Sequence, residues 1–486
     1  MYYVVALDLG TTSIKAMVFD LEGCICGEAA QEETLLFPDD HQIEQSPHAW
    51  YETAATVICD AVEHAGIERK LVRAIGISSQ GISVVPVDRN FIPIRNAICW
   101  LDTRAKTECN CIEEALDKER IYDVTGKFLL PAYTMPKLLW LKRNEPDVYL
   151  RADKFLLPMD YAIARFTGKA LTDHSMAAGT MLYDIKQASW SEELLSILSL
   201  NKEKLPEIRW SGTVAGTLLP EAAERCGLTT DVLVMVGGQD QKVAAFGANL
   251  VEGSATISMG TAGAFEFLLN APMLHPERSL PTFPYVRRNN WVMEGCINTA
   301  GAAIKWVKNT VFSEVTYKEM NDLAKCSAQG AGGVLFYPYL TAPGTPHKGE
   351  YWAGGYMPLT LKTSRADMAR ALYEGLSYES RLNLDAAERA GVAVGRLSIF
   401  GGGSKSQIFC DILAHVTGKT IRSYQCAEFG CIGAASLAIE GMGLDLAAFT
   451  ERHLSAFEDH IPEFKLHNFY NDEYNRYINC LHSQNR

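Results

Sequence analysis

Asp8, Gly10, Thr11, Thr12 and Ser13 stand between two apolar runs, residues 4–7 and 14–19, and Lys15 lies just after them, at the start of the second run. If those runs are strands, the residues between them form a tight turn of one glycine and three hydroxyl side chains. Such a turn lets backbone N–H and side-chain O–H groups converge on phosphate oxygens. Asp8 cannot donate to a phosphate, and a carboxylate there is suited to hold Mg2+, directly or through water. Lys15 adds a positive charge at the rim. An ordinary hairpin with a polar turn would use the same residue types, so this stretch alone leaves both readings open.

A second group lies mid-chain. Residues 232–236 are an apolar run that ends in Gly237-Gly238-Gln239-Asp240-Gln241, and small helix-forming residues follow over 243–248. Asp240 then sits at a helix N-terminus at the mouth of a strand. An aspartate there can simply cap the helix, which is worth about 1 kcal/mol. A cap does not need paired glycines, however, and the alternative is a general base held in a crevice. Residues 255–265 repeat the opening theme as strand, glycine-hydroxyl turn and strand, with Gly260 and Thr261 in the turn and Ser258 where the first copy has Asp8. Two such hairpins about 250 residues apart indicate a duplicated domain.

The elements around these groups supply further candidates. Residues 72–78 form a short apolar run that delivers Ser78, Ser79, Gln80 and Gly81, as buried parallel strands do at ligand crevices. Trp100, Asp102 and Arg104 alternate and would project to one side of an extended segment. An indole wall, a carboxylate acceptor and a guanidinium donor suit a polyol, although an Asp–Arg ion pair would also account for two of them. Residues 299–306 read as a glycine-bearing helix start that carries Gly301 and Lys305. Residues 397–400 run into Gly401-Gly402-Gly403-Ser404-Lys405-Ser406, where three glycines allow a flat ligand to lie against the backbone. That spacing matches neither the P-loop nor the dinucleotide fingerprint.

Composition narrows the classes. A chain of 486 residues fits two large domains or three ordinary ones. The net charge of −13 repels nucleic acid and anionic membrane, so neither is expected as a partner. The 13 cysteines are scattered, and their C-x-C pairs lack zinc spacing, which reads as reduced thiols in a cytoplasmic protein. No apolar run is long enough to span a membrane, and no signal-peptide pattern precedes the first strand.

Taken in order, these pieces resemble the FGGY family of carbohydrate kinases over nearly the whole chain. The matching segments are 8–15, 100–104, 137–140, 237–240, 260–261 and 401–406. The resemblance implies an α/β fold of two actin-like, ribonuclease H-type domains with an ATP/sugar cleft between them. Residues 1–248 would form the sugar-binding and magnesium side, and 249–486 the nucleotide side. It also implies ATP and Mg2+ as cofactors and a small sugar or polyol as partner, with a homodimer as a family-based expectation. Thr11, Thr12, Ser13, Lys15, Gly260, Thr261, Gly301, Lys305, Gly402, Gly403 and Ser406 would face the nucleotide. Asp8 would organise the magnesium, and Asp240 would be the base. Gln80, Gly81, Trp100, Asp102, Arg104, Asp240 and Gln241 would meet the sugar.

Within the family the pattern is nearest to xylulokinases, through 136–140, 156–161 and 173–181. The chain departs from them at Gln80-Gly81-Ile82-Ser83, where xylulokinases carry Gln-Met-His-Gly, and at Gln241, where they carry Asn. Glycerol kinases carry Gln-Arg-Glu at positions 80–82, so their charged clamp is missing here. D-Xylulose is the first choice of substrate, with another linear sugar or polyol as the alternative. An actin- or Hsp70-like ATPase module is the alternative from a different class.

Overall fold

Two sheets of the same topology carry the molecule. The computed structural model describes residues 2–347, 352–424, 426 and 428–483. The first sheet contains β1 (Tyr3–Leu9), β2 (Ser13–Asp20), β3 (Ile25–Glu32), β4 (Val72–Ser79), β5 (Val214–Thr217) and β6 (Leu233–Met235), in the order β5-β6-β4-β1-β2-β3. β1, β2 and β3 form an antiparallel meander, β4 and β6 run parallel to β1, and β5 closes the edge antiparallel. The second sheet contains β7 (Ser254–Met259), β8 (Gly263–Leu269), β9 (Thr282–Pro284), β10 (Trp291–Ile297), β11 (Arg396–Phe400), β12 (Thr420–Tyr424) and β13 (Phe457–His460), in the order β9-β10-β8-β7-β11-β12-β13. β7, β8, β10, β11, β12 and β13 take the places of β1, β2, β3, β4, β6 and β5, with the same strand directions. This is the duplication that the repeated hairpin indicates, in the ribonuclease H-type form that the resemblance implies.

The helices include α1 (Pro47–Ala65), α2 (Asp240–Gly247), α3 (Gly301–Thr310), α4 (Arg365–Arg389), α5 (Gln407–Thr417), α6 (Phe429–Gly441) and α7 (Phe464–Ser483). Strand alternation divides the first sheet between two cores. Val5, Leu7, Ile14, Ala16 and Val18 pack with Trp50, Ala54, Val57 and Ile58 of α1. Val4, Ala6, Met17 and Phe19 face the other way, into a core that holds Phe429, Ile432 and Ala435 of α6. α6 therefore comes from the second half of the chain but covers the first sheet. Two glycines permit its approach. A Cβ at Gly76 of β4 would lie 1.9 Å from the Ala434 carbonyl oxygen, and one at Gly433 would lie 1.9 Å from the Val243 oxygen of α2. α2 and α6, one from each half, pack on each other, and α2 also reaches β7 and β8. The 248/249 division falls between α2 and β7, yet the halves are joined through this helix pair. At the far end, α7 buries Tyr470, Tyr474 and Tyr477 against the second lobe, where Tyr470 donates to Glu374 at 2.8 Å.

All 13 cysteines are free thiols, and no helix among the described residues is long and apolar enough to cross a membrane.

Candidate active site

Asp8 follows Val4 and Ala6 onto the sheet face that α6 covers. In register it stands beside Ser78 of β4 and Lys15 of β2. The Ser78 hydroxyl donates to Asp8 Oδ1 at 2.7 Å. Gly430, in the first turn of α6, lies so near that a Cβ there would sit 3.5 Å from the same oxygen. Burial raises the Asp8 carboxyl above the usual range, against the opposing pull of Ser78 and Lys15. Asp240 is the first residue of α2. Its Oδ1 accepts from the backbone N–H of Gln241 at 2.7 Å and from the Gln239 side-chain amide. A capping carboxylate would accept from N–H groups two or three residues further on, and Asp240 does not. Burial first, and then the charge of Asp8, push its carboxyl up to about 7.

Two half-buried carboxylates that each disfavour bare charge suit a divalent cation. Mg2+ is commonly held by one or two carboxylates, with substrate phosphates and waters completing the octahedron. No cluster of three or more His, Cys, Asp or Glu side chains occurs among the described residues. The donor set therefore fits a metal that arrives with phosphate, not a closed structural site.

The two hairpins carry their hydroxyls differently. Thr12 and Ser13 are exposed in the first turn. Thr11 is tied into the pocket wall: Trp100 Nε1 donates to its Oγ1 at 2.8 Å, and that hydroxyl donates to Gln80 Oε1 at 3.3 Å. Lys15 reaches across to Glu428, just before α6, at 2.7 Å. In the second turn Gly260 and Thr261 are exposed. Their carbonyl oxygens accept from Ala300, Gly301 and Ala302 at 3.0–3.2 Å, so α3 starts on the hairpin itself. A Cβ at Gly301 would lie 2.3 Å from the Gly260 oxygen, so Gly301 serves this close contact. Lys305, one turn on, is exposed and makes no ion pair among the described residues. Gly402 is exposed, while Gly403 is buried against Met259 of β7. The Ser406 hydroxyl is already engaged, accepting from Phe409 N at 3.4 Å as the cap of α5 and donating to Asn321 at 3.1 Å.

Across the first hairpin, Gln80 is held by a network that motif reading passed over. Its amide donates to Gln45 Oε1 at 3.2 Å and to the Gly10 carbonyl at 3.3 Å, and the Ser83 hydroxyl donates to its Oε1 at 3.2 Å. Next to it, Gly81 is half-buried, and Ile82 adopts φ 54°, a strained left-handed conformation for a β-branched residue. The Ile82 carbonyl accepts from the Thr134 hydroxyl at 3.0 Å.

The expected projection of Trp100, Asp102 and Arg104 to one side does not occur, because the segment is a turn closed by Asp102 N donating to the Cys99 oxygen at 3.0 Å. Trp100 is 37% exposed. Asp102 and Arg104 are spent on each other. Arg104 Nε and Nη2 both donate to Asp102 at 2.8–3.0 Å, Ile43 N donates to the same carboxylate at 2.6 Å, and Nη2 also reaches Glu44 at 2.9 Å. With the Arg104 side chain 3% exposed and Asp102 fully buried, the pair has no exposed group to offer a polyol. Lys137, in the matching 137–140 segment, is likewise internal. It donates to the Cys99 and Ala132 carbonyls, and burial lowers its amine to about 7. Gln241 and Gln239 differ from these, for the Oε1 atom of each is buried without a partner. The Ser175 hydroxyl accepts from Gln239 N at 3.0 Å and donates to Asp173 at 2.7 Å, which fixes the backbone that presents Asp240.

The FGGY family of carbohydrate kinases, N-terminal domain, matches residues 3–247, and its C-terminal domain matches residues 255–442. The chain belongs to the FGGY family of carbohydrate kinases. It is 30% identical over 465 residues to a xylulose kinase of Escherichia coli K12, covering 94% of this chain and 93% of the relative. Among solved structures, a ligand-bound xylulose kinase from Lactobacillus acidophilus is similar with a TM-score of 0.93 and 26% identity, covering 99% of this chain and 98% of that one. A gluconate kinase from the same organism is similar to the same degree, with a TM-score of 0.93, 26% identity and the same coverage. This protein is a carbohydrate kinase, and the carbohydrate is a separate question.

One cluster of this FGGY kinase lay outside the sequence reading. Lys242 of α2 extends from the first lobe to Glu266 of β8, at 3.1 Å, and to Glu294 of β10. Glu266 and Glu294 stand directly opposite each other on neighbouring strands. Like charges so placed repel, and the buried ammonium between them offsets the repulsion. The two carboxylates hold the Lys242 ammonium firmly in its charged form. The available signal was two glutamates in otherwise apolar strands, which strand alternation alone would assign to solvent.

Proposed function

We propose that the protein transfers the γ-phosphoryl group of Mg·ATP to a hydroxyl of an open-chain sugar, with D-xylulose as the first choice. The observation that carries this reading is the pair of half-buried carboxylates, Asp8 and Asp240, at the junction of the two hairpin-bearing lobes. Asp8 would hold Mg2+, whose charge would offset that developing on the phosphoryl oxygens. Asp240 orients the attacking hydroxyl and accepts its proton. A carboxyl near 7 is matched to that task at neutral pH, and such a base contributes about 10²–10⁴-fold.

The exposed hydroxyls and N–H groups of Thr12, Ser13, Gly260 and Thr261 meet the phosphates from opposite lobes. Lys15 does so after exchanging Glu428 for phosphate. Gly402 lies by the nucleotide's base side. Gln80, Trp100, Ile82 and Gln241 form the sugar wall, and the unpartnered Gln241 oxygen awaits a substrate hydroxyl. Closure of the lobes would exclude water and limit ATP hydrolysis.

The xylulose kinase relatives support D-xylulose, and the Ile82 and Gln241 replacements count against a fully xylulokinase-like pocket. The test is ADP release with Mg·ATP over ketopentoses, pentitols, tetritols, glycerol and gluconate. Turnover that peaks at D-xylulose supports the reading. A peak at another sugar replaces the substrate and leaves the chemistry intact, whereas release independent of any sugar overturns both.

A further inference from the structure

The fold does not choose between a neutral sugar and a sugar acid, because a xylulose kinase and a gluconate kinase resemble this chain equally. A group from the second lobe bears on that choice. Along β10, Met293 and Ile297 enter the second lobe's core, while Val292 enters the core shared with the first lobe. Glu294 shares the face of Val292 and is therefore turned toward the first lobe. There Lys242, two residues after Asp240, donates to its carboxylate. The two glutamates that hold Lys242 are not equivalent. The Glu266 side chain is 2% exposed and the Glu294 side chain 21%, so of the two only Glu294 keeps access to solvent. Its charge is felt by the Asp240 carboxyl. The Lys242 side chain is 1% exposed beneath the two carboxylates and presents no cation to a ligand. The buried, unpartnered oxygens of Gln239 and Gln241 add further acceptors at the same helix terminus.

We propose that Glu294 is a specificity-determining residue: it reaches the sugar pocket from the second lobe, accepts a hydrogen bond from a hydroxyl of a neutral open-chain sugar, and repels the carboxylate of a sugar acid. This rests on Asp240 marking the sugar pocket. A hydroxyl donating to a carboxylate is worth on the order of 10–100-fold in affinity. Like charges about 7 Å apart at an effective dielectric constant near 20 weaken binding on the order of 50-fold.

The test measures kcat and KM by ADP release for wild type and Glu294→Gln, with D-xylulose, D-ribulose, xylitol and D-gluconate as acceptors. Wild type should prefer a neutral member to D-gluconate on the order of 100-fold or more in kcat/KM. In Glu294→Gln, KM for that neutral sugar should rise about 10-fold or more while KM for D-gluconate falls. A purely structural role would worsen both together. A Lys242→Met/Glu266→Gln/Glu294→Gln triple variant removes every charge of the cluster at once, and the opposed shifts in KM should persist there if the single variant folds poorly. D-Xylulose inert while another neutral sugar shows the opposed shifts would refute the substrate choice above and support this proposal. D-Gluconate as the best wild-type acceptor, no turnover of any neutral member, or parallel changes in KM would overturn it.

Discussion

Replacing Asp240 by Asn should inactivate the enzyme and, above neutral pH, stabilise it. The carboxyl is raised from 3.8 to about 7 by burial and by Asp8. A raised carboxyl pKa means that the folded state binds the proton more tightly than the unfolded state does. The ionised group therefore destabilises the fold. The penalty is absent below pH 3.8, grows as pH rises, and is complete above about pH 7. At about 1.36 kcal/mol per pH unit it amounts to about 4 kcal/mol. Asn keeps the shape and cannot ionise, so Asp240→Asn should unfold several degrees higher than wild type at pH 8 without ligand, at about 2–4 °C per kcal/mol for a lobe of this size. The difference should shrink steadily toward pH 4. Over the same range, kcat for the sugar should fall about 10²–10⁴-fold in the variant. The wild-type kcat/KM should decline as pH drops through about 7, because the base is then protonated. Differential scanning calorimetry at a series of pH values and steady-state ADP release are the two assays. A variant no more stable than wild type at pH 8 would show that Asp240 is not a buried, uncompensated carboxylate. A variant with wild-type kcat would remove it as the base.

Three further outcomes follow from particular contacts. Glu428→Gln should free Lys15 from its 2.7 Å ion pair and lower KM for ATP, whereas Lys15→Ala should raise it; an unchanged KM in both would place Lys15 outside the nucleotide site. Arg104→Ala leaves the Asp102 carboxylate buried without its main partner, and should cost about 3–5 kcal/mol by thermal or chemical unfolding. A stable Arg104→Ala protein with a raised sugar KM would instead make Arg104 a ligand. Gly433→Ala would press a methyl group onto the Val243 oxygen, and should cost about 1–3 kcal/mol in chemical denaturation while loosening α2 and with it the placement of Asp240.

What the sequence disclosed and what it concealed differ in range. The two glycine-hydroxyl hairpins and the strand-to-helix turn at Asp240 are local: each is complete within about a dozen residues, and turn chemistry there is strong enough to be read directly. The duplicated sheet followed from the hairpins recurring. Asp102 and Arg104 were misplaced because alternation projects side chains to one side only along an extended chain, and the Cys99–Asp102 turn breaks that condition. The crossing of α6 onto the first sheet was illegible, since residues 429–441 are apolar on nearly every side and such a helix does not declare its partner. Glu266 and Glu294 concealed more. Each reads as the polar position of a half-exposed strand, and only the register that sets them opposite each other reveals a site that needs a cation. Lys242 supplies that cation from the other lobe, two residues beyond Asp240. The residue that positions the second-lobe carboxylate is thus carried on the helix that presents Asp240. Asp240 and the contact that joins the two lobes are thus carried on one helix, and a substitution at Glu294 should also act on how the lobes are held.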